Sequence, residues 1–286
     1  MGSQIGLKNL ILENYPNKEV YVVGDAPGFF GFMEGAEMDQ IDDSIYSGSL
    51  AIILDSGSRN MINDNRYALA EKTVRIDHHI FTEQIADIEV IDTSFESCCG
   101  MIAELAMESG LRLNPLAAKS LYTGMVTDSG RFRYDGTTAR TFKLASFLMS
   151  QQFDTNELFR DLYADNFESK QLKAKFILKI RFTDKNVAYI YTTREEFNDL
   201  NADIFTVSRG MTNTMADIKG VDIWVNFTES EKGVLCELRS NRYNINPIAV
   251  KYGGGGHAKA SGATVKDKET AMAMLADLDA MMGGSI

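Results

Sequence analysis

The tightest constraint in this chain is a β-branched run that stops on an acid and two histidines, Val74-Arg75-Ile76-Asp77-His78-His79-Ile80. Such a run reads as a buried strand, and the polar triplet belongs at its carboxyl end. The sequence has three histidines in all. The third, His257, closes a second unusual stretch, Gly253-Gly254-Gly255-Gly256-His257. Four consecutive glycines cost conformational entropy, so a packed strand or helix would not choose them. A loop is expected there, letting a ligand approach the backbone and offering N–H groups to an anion.

Other apolar runs place these two features in a fold. Val20-Tyr21-Val22-Val23 predicts a buried strand, and Leu50-Ala51-Ile52-Ile53-Leu54 predicts another that ends at Asp55-Ser56-Gly57. Helical spacing covers about 5–12, 97–109, 115–127 and 138–151. Strands alternating with helices imply an α/β fold, a mostly parallel sheet with helices on both faces. Chemistry in such sheets collects at the carboxyl ends of the strands, where Asp55 and Asp77-His78-His79 both fall. The charged stretch from Asp154 to about Lys185 predicts a helical connector. Beyond it, 186–191, 223–227 and 233–239 predict strands, the last two a hairpin. Asp203–Asp217 predicts a helix, and Lys268–Met282 a last one. The expected division is a first domain over 1–153, a connector over 154–185 and a smaller α/β domain over 186–286. A length of 286 residues accommodates two domains.

Charge and cysteine content narrow the partners. The net charge of −11 argues against a grip on long duplex nucleic acid. A small phosphate ester remains accessible where metal ions and a few arginines reverse the field. The three cysteines, Cys98, Cys99 and Cys236, have neither a disulfide framework nor zinc-site spacing. No apolar run approaches a membrane span and no secretory signal pattern opens the chain, so a cytoplasmic location is expected.

Asp55, His78 and Asp128 are a carboxylate, an imidazole and a carboxylate expected on adjacent loops of one sheet edge. Mixed oxygen and nitrogen ligands suit Mn²⁺, Mg²⁺ or Zn²⁺. His79 would point away from His78, toward a phosphate or a proton to be moved, and Asp77 could orient a histidine. The plainer alternatives are a turn or cap role for Asp55 and a helix-end turn at Asp128. In the second domain Arg239, Ser240, Gly254, Gly255, Gly256 and His257 form a candidate phosphate site, since arginine binds phosphate through paired N–H groups. Its plainer alternative is a flexible turn with a solvated histidine.

Leu54-Asp55-Ser56, Asp77-His78-His79, Thr127-Asp128-Ser129-Gly130-Arg131-Phe132 and the late Gly-Gly-Gly-His run occur in an order that resembles the DHH/DHHA1 phosphoesterases. Within that family the layout is similar to the nanoRNase and pAp-phosphatase type. The resemblance implies two manganese ions, with Asp55, His78 and Asp128 as ligands and His79 beside the scissile phosphate. It implies a DHHA1 domain that takes the terminal phosphate or nucleotide through Arg239, the glycine run and His257. The reaction implied is hydrolysis of short 5′-phosphorylated oligoribonucleotides to mononucleotides, and dephosphorylation of pAp. The family opens with a strand and a His-x-x-x-Asp-x-Asp motif that lie before the first residue of this chain. One weakly held ion or none, and much reduced activity, are therefore expected of the chain as written. A phosphodiesterase acting on cyclic dinucleotides or linear pApA, and a nucleotide-binding protein without catalysis, are the competing expectations. A homodimer is admitted but not specified.

Overall fold

The computed structural model describes residues 1–282, and the chain divides into two compact units, Met1–Ala164 and Asp165–Ile286.

The first unit opens with helix α1 (Gly2–Asn14). Strands β1 (Leu50–Leu54), β2 (Lys72–Asp77) and β3 (Ile88–Ile91) form a parallel sheet in the order β1-β2-β3, with Leu54 opposite Ile76 and Asp77 opposite Ile91. Helices α2 (Cys98–Glu108), α3 (Pro115–Asp128), α4 (Ala139–Met149) and α5 (Thr155–Tyr163) follow. Side chains start them as the sequence dictates. Ser97 accepts from the Gly100 N–H, Asn114 from Ala117, and Asp154 from Asn156 and Glu157. Ile52, Leu54 and Ile76 pack against Ile102, Leu121, Met125 and Leu144 of the helical core. Ile53 packs instead with Ile85, Ala86, Ile62 and Tyr67. Helices α1 and α3 approach closely because glycines line the contact. A Cβ at Gly6 would lie 2.5 Å from Leu121 Cδ2.

Val20–Val23 is not the buried strand expected. Only Val22 of the four is buried. Its N–H donates to Asp39 Oδ2 and its carbonyl accepts from the Asp39 N–H, both at 2.7 Å. These bonds to a single residue replace a strand ladder. Tyr21, Val22 and Val23 line an open groove of about 1150 Å³ whose other lining includes Leu50–Ser56, Leu7 and Ile11. The Lys72 N–H donates to Ser49 and the Asp55 N–H to Ile76. By strand alternation the N–H and C=O groups of Leu50, Ile52 and Leu54 therefore point away from β2.

The second unit contains α6 (Phe167–Lys179), β4 (Arg181–Phe182), β5 (Ala188–Thr192), α7 (Arg194–Asn198), β6 (Ile223–Ser230), β7 (Gly233–Ser240), α8 (Asn246–Lys251), β8 (Gly255–His257), β9 (Ala260–Val265) and α9 (Lys268–Met281). Its sheet runs β4-β5-β6-β7-β9-β8, with β5 and β6 parallel and the other pairs antiparallel. Val225, Phe227, Cys236 and Leu238 pack with Met274 and Leu278 of α9. Trp224 and Ile190 pack with Phe176, Val207 and Met211.

Two expectations fail here. Asp203–Asp217 is not one helix but a π-turn at Thr206–Gly210 followed by a 3₁₀ turn at Thr212–Met215. The buried Asn226 amide donates to the carbonyls of Val207 and Ser208 at 2.7 Å each, and the Met211 N–H bonds to Thr206 instead. The glycine run is also not a free loop, because Gly255–His257 pairs with Ala260–Gly262 as an edge strand. Close approach explains the composition. A Cβ at Gly254 would sit 2.1 Å from the Gly262 carbonyl oxygen, and one at Gly256 (φ +132°) 2.6 Å from that of Ala260.

Candidate metal centre and phosphate site

The first unit gathers its polar residues at the carboxyl end of the parallel sheet. Asp55 follows β1 directly, and its N–H extends the ladder to Ile76 at 3.1 Å. It then turns left-handed, with φ +57°. Asp128 is the last residue of α3. Beyond it Gly130, Arg131 and Phe132 all have φ near +60°, a left-handed coil braced by the Ser129 hydroxyl. That hydroxyl accepts from the Phe132 N–H at 2.9 Å and donates to the Met125 carbonyl at 2.6 Å. Strain of this kind concentrates at functional sites.

The structure brings His78 between the two carboxylates. Its Nε2 lies 3.1 Å from Asp128 Oδ2 and 3.4 Å from Asp55 Oδ1. Its Nδ1 lies 3.2 Å from the Phe95 carbonyl, which can only accept, so Nδ1 carries the hydrogen. Nε2 is buried and makes no hydrogen bond of good geometry to either carboxylate. A lone pair facing two carboxylates requires a positive charge between them. Without a metal ion that charge is a proton. Burial pulls the His78 pKa down, but Asp128 and Asp55 outweigh it and push it up to about 10.

His79 is held differently. Its ring packs over the Gly57 backbone, where a Cβ would come within 3.3 Å of it. Nδ1 bonds Asp77 Oδ1 at 2.7 Å and lies 3.9 Å from Asp55 Oδ1. The bond to Asp77 raises the His79 pKa against the opposing effect of burial. Asp77 is fully buried. Desolvation works to raise its pKa, yet the His79 and Arg75 hydrogen bonds hold its carboxyl well below the usual carboxylate range. Arg75 is the partner that sequence reasoning passed over, and it bonds Asp77 Oδ2 at 2.7 Å. Among the described residues, Asp55, His78 and His79 offer ligand atoms all within 4.8 Å of one another.

These donors fit a divalent ion. Two half-exposed carboxylates and an imidazole converge on the orphaned Nε2, and oxygen–nitrogen sets of this kind bind Mn²⁺, Mg²⁺ and Zn²⁺. Asp25, in the lining of the groove, accepts a hydrogen bond from Asn63.

In the second unit, Arg239 donates to Glu237 Oε2 at 3.1 Å and to the Leu238 carbonyl at 2.8 Å. Ser240 is buried, and its oxygen accepts from the Arg242 and Tyr243 N–H groups at 3.1 and 2.7 Å, so it shapes the turn after β7. His257 is exposed at the end of β8. A cleft of about 400 Å³ is lined by Leu235, Glu237, Gly253, Gly254, Gly262, Ala263 and Thr264. Gly254 is thus the predicted site residue that lines this cleft.

Residues 1–125 match the DHH family, N-terminal domain, and residues 186–284 match the DHHA1 domain. The chain belongs to the DHH family, in the class of metal-dependent phosphoesterases. It is 32% identical over 283 residues to the bifunctional oligoribonuclease and PAP phosphatase NrnA of Bacillus subtilis, covering 98% of this chain and 90% of the relative. It is 33% identical over 282 residues to NrnA of Mycoplasma genitalium, covering 97% and 88%. A crystal structure of an exopolyphosphatase-related protein from Bacteroides fragilis has the same fold. It is 24% identical with a TM-score of 0.86, and the match covers 99% of this chain and 89% of that one.

Proposed function

We propose that this chain hydrolyses short 5′-phosphorylated oligoribonucleotides to mononucleotides and removes a phosphate from pAp, with Mn²⁺ as the ion. The observation that carries the reading is the buried His78 Nε2, set between Asp55 and Asp128 without a hydrogen bond. Asp55, His78 and Asp128 would hold the ion. When bound, it supplies polarisation of a phosphoryl oxygen and a nucleophilic water at neutral pH. The Phe95 carbonyl keeps the His78 ring turned so that Nε2 faces the carboxylates. His79, tied at Nδ1 to Asp77, leaves Nε2 to face the substrate, as an acceptor when the ring is neutral and as a donor to a phosphate oxygen when it is protonated. Arg239 would exchange Glu237 for a substrate phosphate, and Gly254, Gly255, Gly256 and His257 would complete that subsite. The names of the relatives support this substrate class.

The test is mononucleotide release from a 5′-phosphorylated diadenylate with Mn²⁺. Release that disappears in Asp128→Ala is expected. Tight dinucleotide binding without release would move the assignment to a nucleotide-binding protein. Titration with Mn²⁺ counts the ions that Asp55, His78 and Asp128 hold, and loss of binding in Asp128→Ala is expected.

A further inference from the structure

We propose that Arg75 is a positioning residue that, by clamping Asp77, fixes the ring proton of His79 on Nδ1 and so decides which nitrogen faces the substrate. Arg75 and Asp77 are two apart on β2, so their side chains leave the same face of the sheet. Both are fully buried, and Arg75 heads the largest buried side chains of the chain's described residues. The two carboxylate oxygens are divided between two tasks. Oδ2 takes the guanidinium at 2.7 Å, while Oδ1 takes His79 Nδ1 at 2.7 Å and the His79 N–H at 3.3 Å.

The guanidinium is itself braced. Its other terminal nitrogen reaches the Glu83 carbonyl at 3.2 Å and Glu89 Oε2 at 3.4 Å, while Nε is buried without a hydrogen-bond partner. Glu89 Oε1 in turn accepts from the Ile85 and Ala86 N–H groups at 2.6 and 2.8 Å, so the 83–89 segment wraps the arginine. A buried ion pair is weak evidence for stability, because desolvation offsets its attraction. What this pair achieves is orientation. With Oδ2 occupied, the carboxylate cannot rotate, and Oδ1 stays an acceptor for Nδ1–H. A lysine supplies the charge without the planar fork, and a glutamine supplies neither charge nor reach.

The consequence for catalysis rests on the phosphoesterase reading above, whereas the state of the ring does not. The experiment uses the full chain, metal-free, with ¹⁵N-labelled histidine at mildly alkaline pH. With three histidines in the chain, the ring signals assign by loss in His79→Gln. Wild type is expected to show His79 protonated at Nδ1. Arg75→Gln is expected to move most of the population to the Nε2–H form preferred by a free histidine, with His257 unchanged. Its kcat should fall about 10- to 100-fold, as when partners behind a working histidine are lost, with KM little affected. Arg75→Lys should restore part of the Nδ1–H signal and part of the rate. A folded Arg75→Gln whose His79 stays Nδ1-protonated would overturn the proposal. Failure of both variants to fold would assign Arg75 to the fold and reject the positioning role. If wild type cleaves no phosphoester, the functional reading fails and the tautomer alone decides the proposal.

Discussion

Asp64 offers a quantitative test of how the groove beside β1 is held together. It bridges elements that line that groove. Its oxygens accept from the Arg66 side chain at 2.7 and 3.0 Å, from the Arg66 N–H at 3.0 Å, and from the Tyr46 hydroxyl at 3.0 Å. The Arg66 bonds lower the Asp64 pKa from 3.8 to about 2, against the effect of burial. That shift is worth roughly 2 kcal/mol at neutral pH, and the partial exposure of Arg66 makes this an upper figure. The sign follows from a depressed carboxylate. The contribution is full above the unfolded value of 3.8 and is lost as the pH falls through about 2. Asp64→Asn should therefore destabilise the first unit by about 1–2 kcal/mol at pH 7, and the gap to wild type should close between pH 4 and pH 2. Tyr46 gives a second readout, because burial and Asp64 together push its pKa up to about 12, and the variant should bring it down. Urea unfolding must be followed by near-ultraviolet circular dichroism or tyrosine signals. The single tryptophan, Trp224, lies in the second unit and reports on that unit. An unchanged midpoint at pH 7, or a gap that persists undiminished at pH 2, would refute the account.

Two further outcomes follow from backbone and packing. Asp55→Gly should relieve the left-handed strain at φ +57°, raising stability by about 1 kcal/mol while abolishing the proposed Mn²⁺-dependent phosphodiester cleavage. Denaturant midpoints and a release assay on one preparation check both halves. Gly124→Ala places a Cβ 2.1 Å from Cys99 Sγ, so it should cost about 1–2 kcal/mol net of its helix-propensity gain. The double variant with Cys99→Ala should recover most of that loss by the same unfolding measurement.

What the sequence made legible follows the physics of each signal. Leu50–Leu54 and Val74–Ile76 were readable as strands because strands of a parallel sheet are near-continuous apolar runs. The helix starts at Ser97 and Asn114 were readable because capping is local. Val20–Val23 carries the same β-branched signal, but a strand needs a neighbouring strand, and this segment bonds instead to Asp39 and to the Gln4 side chain. Ile88–Ile91 went unread because it is four residues long and half of it is exposed. Asp55, His78 and Asp128 were legible as candidates because they sit where strands and a helix end. Their convergence, with His78 Nε2 facing both acids, needed the tertiary fold. Tyr122, on the same helix as Asp128, is buried among Phe153, Phe159 and Phe132 and belongs to the core, which its sequence position alone does not show. Arg75 did carry a signal. A charge two residues before Asp77 shares its face in a strand, and a charge within an apolar run requires a partner.

The open side of β1 gives this strand two clocks. The amides of Ala51 and Ile53 point toward β2 and are locked in the ladder, so solvent hydrogen should reach them only when the sheet opens. Those of Leu50, Ile52 and Leu54 face the groove and should exchange much faster, although they alternate with protected neighbours along five residues. An extended segment that adds to this edge would stop the fast clock without altering the slow one. Alternating exchange along a single strand thus distinguishes an edge that has gained a neighbour from a sheet that has merely become stiffer. The same row of outward-facing donors and acceptors, flanked by a half-exposed Leu50, is also where two molecules would first stick to each other.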